Sequence, residues 1–208
     1  PCYNHAKFIH RCLRSILHQS LDKKLYNIIV VDDGSTDNSL KEIQSYGKFI
    51  KVIKNKKNKG LPFSLNAAIK KSNSEYIVRL DSDDYVNFNF LLFLLKFIEN
   101  NKDTADAACT DYYIINEDEK FLFKENSQEK PIGCGIIFKR KHLLAIGLYN
   151  EKYLMHEEIE LRIRYDKKFR KVLRIQLPLY RYRRHNNNIT NNKIKFAKYR
   201  KSLQLKQT

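Results

Sequence analysis

The sequence lacks the features that mark membrane-spanning, secreted and disulfide-bonded proteins. It has no run of about 18 consecutive apolar residues, which is the length a transmembrane helix needs. No segment has the pattern of a secretory signal peptide. The 4 cysteines form no Cys-x-x-Cys pair, and a globular chain of 208 residues does not need disulfides to fold. We therefore expect reduced thiols and a cytoplasmic protein.

Acidic residues are missing from the last fifth of the sequence. No Asp or Glu follows Asp166, whereas 14 Lys and Arg lie between Lys167 and Lys206. Most of the net charge of +17 therefore comes from this end of the chain. A segment of this kind can face phosphates, an anionic membrane or nucleic acid, or it can be an ordinary solvated face. For residues 193–208 we expect a basic amphipathic helix or a disordered tail, with peripheral contact at the inner face of the plasma membrane as one role.

Strand-like and helical segments alternate along the first half of the sequence. Helices are expected at 4–20, after Asp37 to about 46, and at 61–71, with strands at 26–31, at 49–53 and from 76 onward. Asn4 is expected to cap the first of these helices. The alternation predicts an α/β fold with a mostly parallel sheet flanked by helices. Because no apolar strand body precedes Pro1, we expect the first strand of the fold to be missing from this sequence.

The second half of the sequence predicts a smaller set of elements. A helix is expected at 88–99, a hairpin between 105–116 and 121–123, and a strand at 133–138, followed by a helix at 157–169 and a strand at 172–182. No internal repeat and no clear linker separates these elements from the first half. The sequence therefore indicates one compact unit.

Two of the predicted strands end in clustered aspartates. Asp32 and Asp33 follow one strand, and Asp81, Asp83 and Asp84 follow another. In open α/β sheets, ligands bind outside the carboxyl ends of the strands. Carboxylates this close together repel one another unless a cation or a network of donors compensates them. The pattern therefore predicts a divalent metal at this edge of the sheet.

Seven motifs occur in an order and at intervals that are specific as a set, although each motif alone is weak. They are PCYN, VVDDGSTDNS, NKGLPFSLNAAI, RLDSDDY, GCGIIFKR, HEEIELRIR and RYRRH. The set resembles family 2 glycosyltransferases of the GT-A fold, over nearly the whole chain but without the first strand. The resemblance implies a single GT-A, Rossmann-like domain over residues 1–208. Its nucleotide-sugar-binding half is expected at about 1–110, its smaller acceptor half at about 111–192 and its basic tail at 193–208.

The resemblance implies a binding site for the donor nucleotide at the first motifs. Tyr3 is placed to stack on a nucleobase, and Asp33 matches the aspartate that accepts a hydrogen bond from the uracil of a nucleotide sugar. Asp32 is a second candidate for this contact. A tyrosine at the rim of the core and a carboxylate that caps the next helix are the alternatives that the sequence leaves open.

The family's DxD motif corresponds to Asp81, Ser82 and Asp83 in this sequence. The resemblance implies that Asp81 and Ser82 contact the nucleotide sugar and that Asp83 holds Mn²⁺ or Mg²⁺ against the diphosphate. His185 matches a histidine that completes the metal site in several family members, and imidazole suits Mn²⁺ better than Mg²⁺. On its own, His185 would be read as a surface histidine in a basic run. The flanking Arg181, Arg183 and Arg184 could neutralise the diphosphate.

Two acids at a predicted helix start match the position of the family's catalytic base. Glu157 and Glu158 stand where the family has Glu-Asp, and the second acid removes the proton of the acceptor hydroxyl. The resemblance therefore implies that Glu158 is the base, with Glu157 as the alternative because Glu is one methylene longer than Asp. Two acids that favour a helix N-terminus electrostatically are the purely structural interpretation.

The sequence thus predicts an inverting, metal-dependent hexosyl- or N-acetylhexosaminyltransferase. Its donor would be a nucleotide sugar, with UDP as the expected nucleotide. Its acceptor would be a hydroxyl of a glycan or lipid-linked molecule in surface-polysaccharide synthesis, and no nucleic-acid partner is expected. The alternative is a basic protein that binds nucleic acid or an anionic membrane and carries an inactive GT-A-like domain. Binding that falls steeply with salt and ignores nucleotide sugars would favour that alternative.

Overall fold

The computed structural model describes residues 1–191 and Tyr199. Apart from Tyr199, the predicted basic tail at 193–208 lies outside the described residues. The described elements are α1 Ala6–Leu17, β1 Ile29–Asp32, α2 Ser39–Gln44, β2 Lys51–Lys54, α3 Leu61–Lys71, β3 Tyr76–Val78, β4 Tyr85–Val86, α4 Phe90–Asn100, β5 Ala107–Ile115, β6 Phe121–Glu125, β7 Ile136–Lys139, α5 Arg140–Ala145, α6 Glu157–Asp166 and β8 Leu173–Arg183. None of the helices in this part of the chain has the length and apolar character needed to cross a membrane.

Strands from both halves of the chain share one mixed sheet. Five strands lie in the order β3–β7–β5–β8–β4, and β6 also pairs with β5. Among the described strands of this sheet, β5 and β8 are the only parallel neighbours, and the other pairs are antiparallel. Strands β1 and β2 form a separate parallel pair, to which Cys2 adds a parallel bridge at Asp32.

The α/β prediction is confirmed, but the expectation of a mostly parallel sheet needs correction. Strand β7 enters the sheet between β3 and β5 and runs opposite to both. Strand β7 belongs to the second half of the chain and comes back to pair with β3 of the first half. The alternation of elements in the first half contains no information about this pairing. The predicted hairpin is confirmed as β5 and β6, with Tyr112 opposite Glu125. Helix α5 and the short strand β4 were not predicted.

Helices cover both faces of the mixed sheet. On one face, α4 packs through Phe90, Leu94 and Ile98, which are fully buried. On the other face, α3, α5 and α6 contribute a second cluster that includes Leu143 and Leu161. Strand β5 is therefore buried on both sides, which explains why apolar residues are adjacent in its sequence, as in Ala107–Ala108 and Ile114–Ile115, rather than alternating with polar ones.

The first helix is capped by a different residue from the one that the sequence predicts. Asn4 was expected to cap it, but Asn4 lies outside the helix with a φ of 55° and accepts a hydrogen bond from the Thr36 N–H at 2.8 Å. Asp37 instead accepts from the Ala6 N–H at 3.1 Å and from the Ser39 N–H at 2.8 Å. One carboxylate thus accepts from the first N–H of both α1 and α2, and it fixes the loop after β1 against the chain start.

Candidate active site

The aspartates after β3 lie in a short loop that is fastened to the last strand of the sheet. Asp84 is 2 % exposed, and it accepts from the Tyr180 hydroxyl at 2.6 Å and from the Arg183 N–H at 2.8 Å. The Arg183 guanidinium also donates to the carbonyl oxygen of Asp83 at 2.8 Å. Burial, followed by the charges of Asp83 and Asp81, raises the pKa of Asp84 well above its usual value. Asp84 therefore anchors the loop to β8.

Asp83 pairs directly with the histidine of the last motif. His185 Nε2 lies 2.9 Å from Oδ2 of Asp83, and these side chains are 3 % and 14 % exposed. The side-chain amide of Asn188 also donates to this oxygen, at 3.4 Å. Burial alone would raise the pKa of Asp83, but the hydrogen bond with His185 and the nearby His5 lower it below its usual value. The structure therefore brings together the carboxylate and the imidazole that the sequence predicts as metal ligands.

A second histidine, which sequence analysis did not single out, lies at the same place. Three potential ligand atoms, one each from His5, Asp83 and His185, lie within 4.8 Å of one another. Nδ1 of His5 is 2.7 Å from the Ser82 hydroxyl. Burial lowers the pKa of His5, and the charge of Asp83 offsets this only in part, so the ring is neutral near pH 7. Two imidazoles and a carboxylate this close together fit the divalent metal that the family resemblance implies.

Arg79 connects the DxD loop to the start of α6. Its guanidinium donates to both carboxylate oxygens of Asp81, at 2.7 and 2.9 Å, and to Glu157 at 2.9 Å. The Arg79 side chain is 9 % exposed and that of Glu157 is 5 % exposed, so this ion pair is removed from water. Asp81 and Glu157 are 76 residues apart in sequence, and one side chain fixes both. The donor motif and the predicted base motif are therefore held as one unit.

The two acids of the predicted base motif occupy different environments. Helix α6 begins at Glu157, after His156 in the left-handed conformation with a φ of 59°. Glu157 is buried against Arg79, whereas Glu158 is partly exposed and lines a cleft of about 550 Å³. Gly133 lies beside both Arg79 and Glu158, where an added Cβ would come within 2.6 and 2.9 Å of their atoms. Glu158 is therefore the acid that is accessible to a molecule in the cleft.

We predict that Glu157 makes the stability of the protein depend on pH. Burial raises the pKa of Glu157 to about 7, with Arg79 opposing the shift and Glu158 adding to it. The carboxyl of the unfolded chain titrates near 4.5, so the folded protein retains a proton that the unfolded chain has released between these values. Any stability that Glu157 contributes is therefore lost as the pH rises from about 4.5 to about 7.

Thermal unfolding of the wild type and of Glu157→Gln tests this prediction. The melting temperature of the wild type should fall, relative to that of the variant, as the pH rises from about 5 to about 7.5, which is roughly the window set by the two pKa values. The variant serves as the reference because Gln cannot titrate. A difference between the two proteins that stays constant over this range would show that Glu157 is already ionised at the lower pH.

The end of β1 provides the other predicted donor-site residues. Asp33 accepts from the Asn55 amide at 2.7 Å and from the N–H groups of Lys59 and Gly60 at 3.0 and 2.8 Å. Asp32 is fully buried, and neither of its carboxylate oxygens has a hydrogen-bond partner among the described residues. Asp33 thus shapes the loop before α3, whereas Asp32 is an unpartnered acceptor at the same strand end.

The chain start links this strand end to the DxD loop. Tyr3 is 41 % exposed and is therefore accessible to a ligand. His5 donates its backbone N–H to the Ser39 hydroxyl at 2.8 Å, while its ring contacts Ser82 of the DxD motif. The first motif thus lies between the two aspartate-bearing loops.

Three residues of the site were missed or misjudged from the sequence. His5 follows the PCYN motif and Arg79 is the first residue of RLDSDDY, but the contacts that distinguish them come from distant parts of the chain. Arg183 was expected, with its neighbours, to be available to a diphosphate, yet it is 2 % exposed. Its guanidinium binds the backbone of Asp83 and of Glu117. Arg183 therefore supports the loop rather than presenting a free charge.

Comparison with known proteins gives consistent matches. A poly(ribitol-phosphate) beta-glucosyltransferase of Bacillus spizizenii is 41 % identical over 135 residues, covering 62 % of this chain and 21 % of that protein. The crystal structure of Staphylococcus aureus TarS in complex with UDP-GlcNAc superposes with a TM-score of 0.81 at 20 % identity, covering 92 % of this chain and 59 % of that one. A mannosyltransferase of Pyrobaculum calidifontis in complex with GDP-Man and Mn²⁺ gives a TM-score of 0.76 at 16 % identity, covering 96 % and 59 %.

These matches bear on the fold and on the family. The similarity to solved structures confirms the predicted GT-A architecture. The chain spans about a fifth of the length of the Bacillus relative. The profile described as glycosyl transferase family 2 matches residues 1–167, which is most of the sequence. The chain belongs to glycosyl transferase family 2.

Proposed function

We propose that this chain carries the catalytic domain of a metal-dependent, inverting glycosyltransferase that uses a nucleotide sugar. The observation that best supports the proposal is the convergence of distant motifs on one loop. Asp83 meets His185, and Asp81 is joined to Glu157 by Arg79. This arrangement would provide ligands for a metal on one side and an accessible carboxylate on the other.

The metal would be held by Asp83 and His185, with Asp81 and Ser82 directed to the nucleotide sugar. When bound, Mn²⁺ or Mg²⁺ supplies Lewis-acid stabilisation of the negative charge that grows on the departing nucleoside diphosphate. Arg79 holds the Asp81 carboxylate with two hydrogen bonds. Asp81 therefore needs little reorganisation when the donor binds.

The base would be Glu158. It takes the proton of an acceptor hydroxyl as the oxygen forms a bond to the anomeric carbon. The bond from that carbon to the diphosphate breaks on the opposite side, and the nucleoside diphosphate leaves with the bonding electrons. A single displacement of this kind inverts the anomeric centre. Glu157 would position the start of α6 through its pair with Arg79.

The donor nucleotide would lie between Tyr3 and the end of β1. Tyr3 is exposed enough to stack on a base, whereas Asp32 and Asp33 are 0 % and 4 % exposed. Their carboxylates would therefore accept from base N–H groups only after the loop before α3 moves. We propose UDP as the nucleotide, supported by the UDP-GlcNAc complex of a similar fold. A mannosyltransferase of similar fold binds GDP-Man, so GDP-sugars belong in the same test.

The acceptor would be a hydroxyl of a glycan or lipid-linked molecule in surface-polysaccharide synthesis. The name of the Bacillus relative, which acts on a poly(ribitol-phosphate), supports this class. We propose that residues 1–110 serve the donor and 111–192 the acceptor. A cytoplasmic location is supported by the 4 cysteines, which are all free and buried. Peripheral membrane contact through residues 193–208 is part of the same proposal.

Release of nucleoside diphosphate from a panel of donors tests the proposed function. We expect release from a UDP-hexose or UDP-N-acetylhexosamine in Mn²⁺ or Mg²⁺, and none in EDTA. Asp83→Asn should lower the rate at least about 100-fold, because the loss of a metal ligand removes several kcal/mol of transition-state stabilisation. Asp103→Asn, at an exposed position, is the matched control and should be fully active. Turnover that persists in EDTA and in Asp83→Asn would contradict metal dependence, and no turnover from any donor would contradict the transferase.

A further inference from the structure

The ring of His5 is held in one orientation beside the predicted metal ligands. Its backbone is fixed on both sides, since its N–H donates to Ser39 at 2.8 Å and its carbonyl accepts from Ile9 at 2.9 Å. Its Nδ1 contacts the hydroxyl of Ser82, which is 4 % exposed. A side chain held at both ends in this way loses little conformational freedom when it binds a ligand.

The contact with Ser82 determines which nitrogen of His5 is available. When Nδ1 carries the proton and donates it to the Ser82 hydroxyl, the lone pair of Nε2 is free. Metal-bound histidines have this arrangement, in which a hydrogen bond from the second ring nitrogen fixes the tautomer and the orientation of the ring. Ser82 therefore orients the ring of His5 in the way that a hydrogen-bond partner orients a metal-binding histidine.

The surroundings of His5 place its ring against the other ligands. Its ring centroid lies 6.0 Å from that of His185, with the rings nearly perpendicular at 87°. Ligand atoms of both histidines and of Asp83 fall within 4.8 Å of one another. Ligands that bind one ion at about 2.0–2.6 Å must lie within about twice that distance of each other. The three side chains satisfy this condition.

We propose that His5 is a third protein ligand of the metal, which makes the site a two-histidine, one-carboxylate set that favours Mn²⁺ over Mg²⁺. This inference rests on the proposed metal dependence of the same site. Two imidazole nitrogens and one carboxylate suit a transition metal, whereas Mg²⁺ prefers oxygen ligands and water. Three protein ligands leave the remaining positions of the ion for diphosphate oxygens and water.

Pulsed electron paramagnetic resonance of Mn²⁺ bound to the 208-residue chain tests the proposal without an activity assay. The nitrogen couplings should indicate two coordinated imidazoles in the wild type and one in His5→Ala. The exposed His18, on the same part of the chain, gives the matched control: His18→Ala should retain both. We also expect His5→Ala to weaken Mn²⁺ binding at least about tenfold and Mg²⁺ binding less.

The outcomes separate this inference from the proposed function. One imidazole in the wild type, with Mn²⁺ binding that Asp83→Asn abolishes, would overturn the two-histidine ligand set and leave the metal site at Asp83 intact. Mn²⁺ binding that is absent, or that Asp83→Asn does not weaken, would overturn both. The measurement on the wild type needs no variant, so it decides the question even if His5→Ala fails to fold.

Discussion

Replacing Arg79 with alanine is expected to destabilise the protein by about 3–5 kcal/mol, because it leaves buried acids without their cationic partner. For a chain of this size such a loss corresponds to a fall in melting temperature of roughly 6–20 °C. Glu157 is 4 % exposed and receives its hydrogen bond from Arg79, which also holds Asp81 at two points. Thermal and urea unfolding of the variant at pH 7.5 measures the effect.

Two further variants show whether the cause is the buried charge. Arg11 also pairs with a glutamate, Glu119, but these side chains are 41 % and 36 % exposed, so Arg11→Ala should cost only about 1 kcal/mol. The double variant Arg79→Ala with Glu157→Gln should be more stable than Arg79→Ala alone, because it removes the buried carboxylate of Glu157 that Arg79→Ala leaves without a partner. Equal costs for Arg79→Ala and Arg11→Ala would show that the buried ion pair does not stabilise the fold.

Replacing Glu158 with glutamine is expected to lower turnover about 10²–10⁴-fold, the contribution typical of a general base. Glutamine keeps the size of the side chain but cannot take the proton of the acceptor hydroxyl. Because Glu158 lines the cleft and makes none of the hydrogen bonds described above for Arg79, stability and nucleotide affinity should change little. Release of nucleoside diphosphate and calorimetric binding of the nucleotide measure the two effects separately.

Glu157→Gln is the matched control for this assignment. Glu157 is buried and paired with Arg79, so its replacement should change stability and the pH profile more than the rate of the chemical step. If Glu157→Gln abolishes turnover and Glu158→Gln does not, the first acid of the pair is the base. The assignment that the resemblance implies would then be wrong.

Much of the site could be predicted from the sequence because its motifs are local. Asp81 and Asp83 follow a short apolar run, and their place at a strand end already indicates a ligand site. Asp83 and His185 were expected together only through the family resemblance, since 102 residues separate them. Their distance of 2.9 Å agrees with that expectation.

The rest of the structure depends on contacts that a local pattern does not contain. Asn4 has the right chemistry to cap α1, yet Asp37, which is 31 residues from Ala6, makes the contact. From the sequence, Arg79 is one polar residue next to a predicted strand. Its role becomes visible only when the fold places Glu157 beside it. Strand β7 is identifiable as a strand, but its antiparallel position between β3 and β5 follows from the return of the chain. In each case the local sequence allows more than one conformation or contact, and the tertiary structure determines which of them forms.

Thermal unfolding with nucleoside diphosphates, with and without Mn²⁺, tests the central claim most directly, because it needs neither the acceptor nor the sugar. We expect UDP or GDP with Mn²⁺ to stabilise the wild type by about 2.7 kcal/mol at roughly 100 times Kd. Asp83→Asn should lose this effect and Asp103→Asn should keep it. The absence of a shift with every nucleoside diphosphate, in folded protein and in the presence of Mn²⁺, would contradict a metal-dependent nucleotide-sugar site.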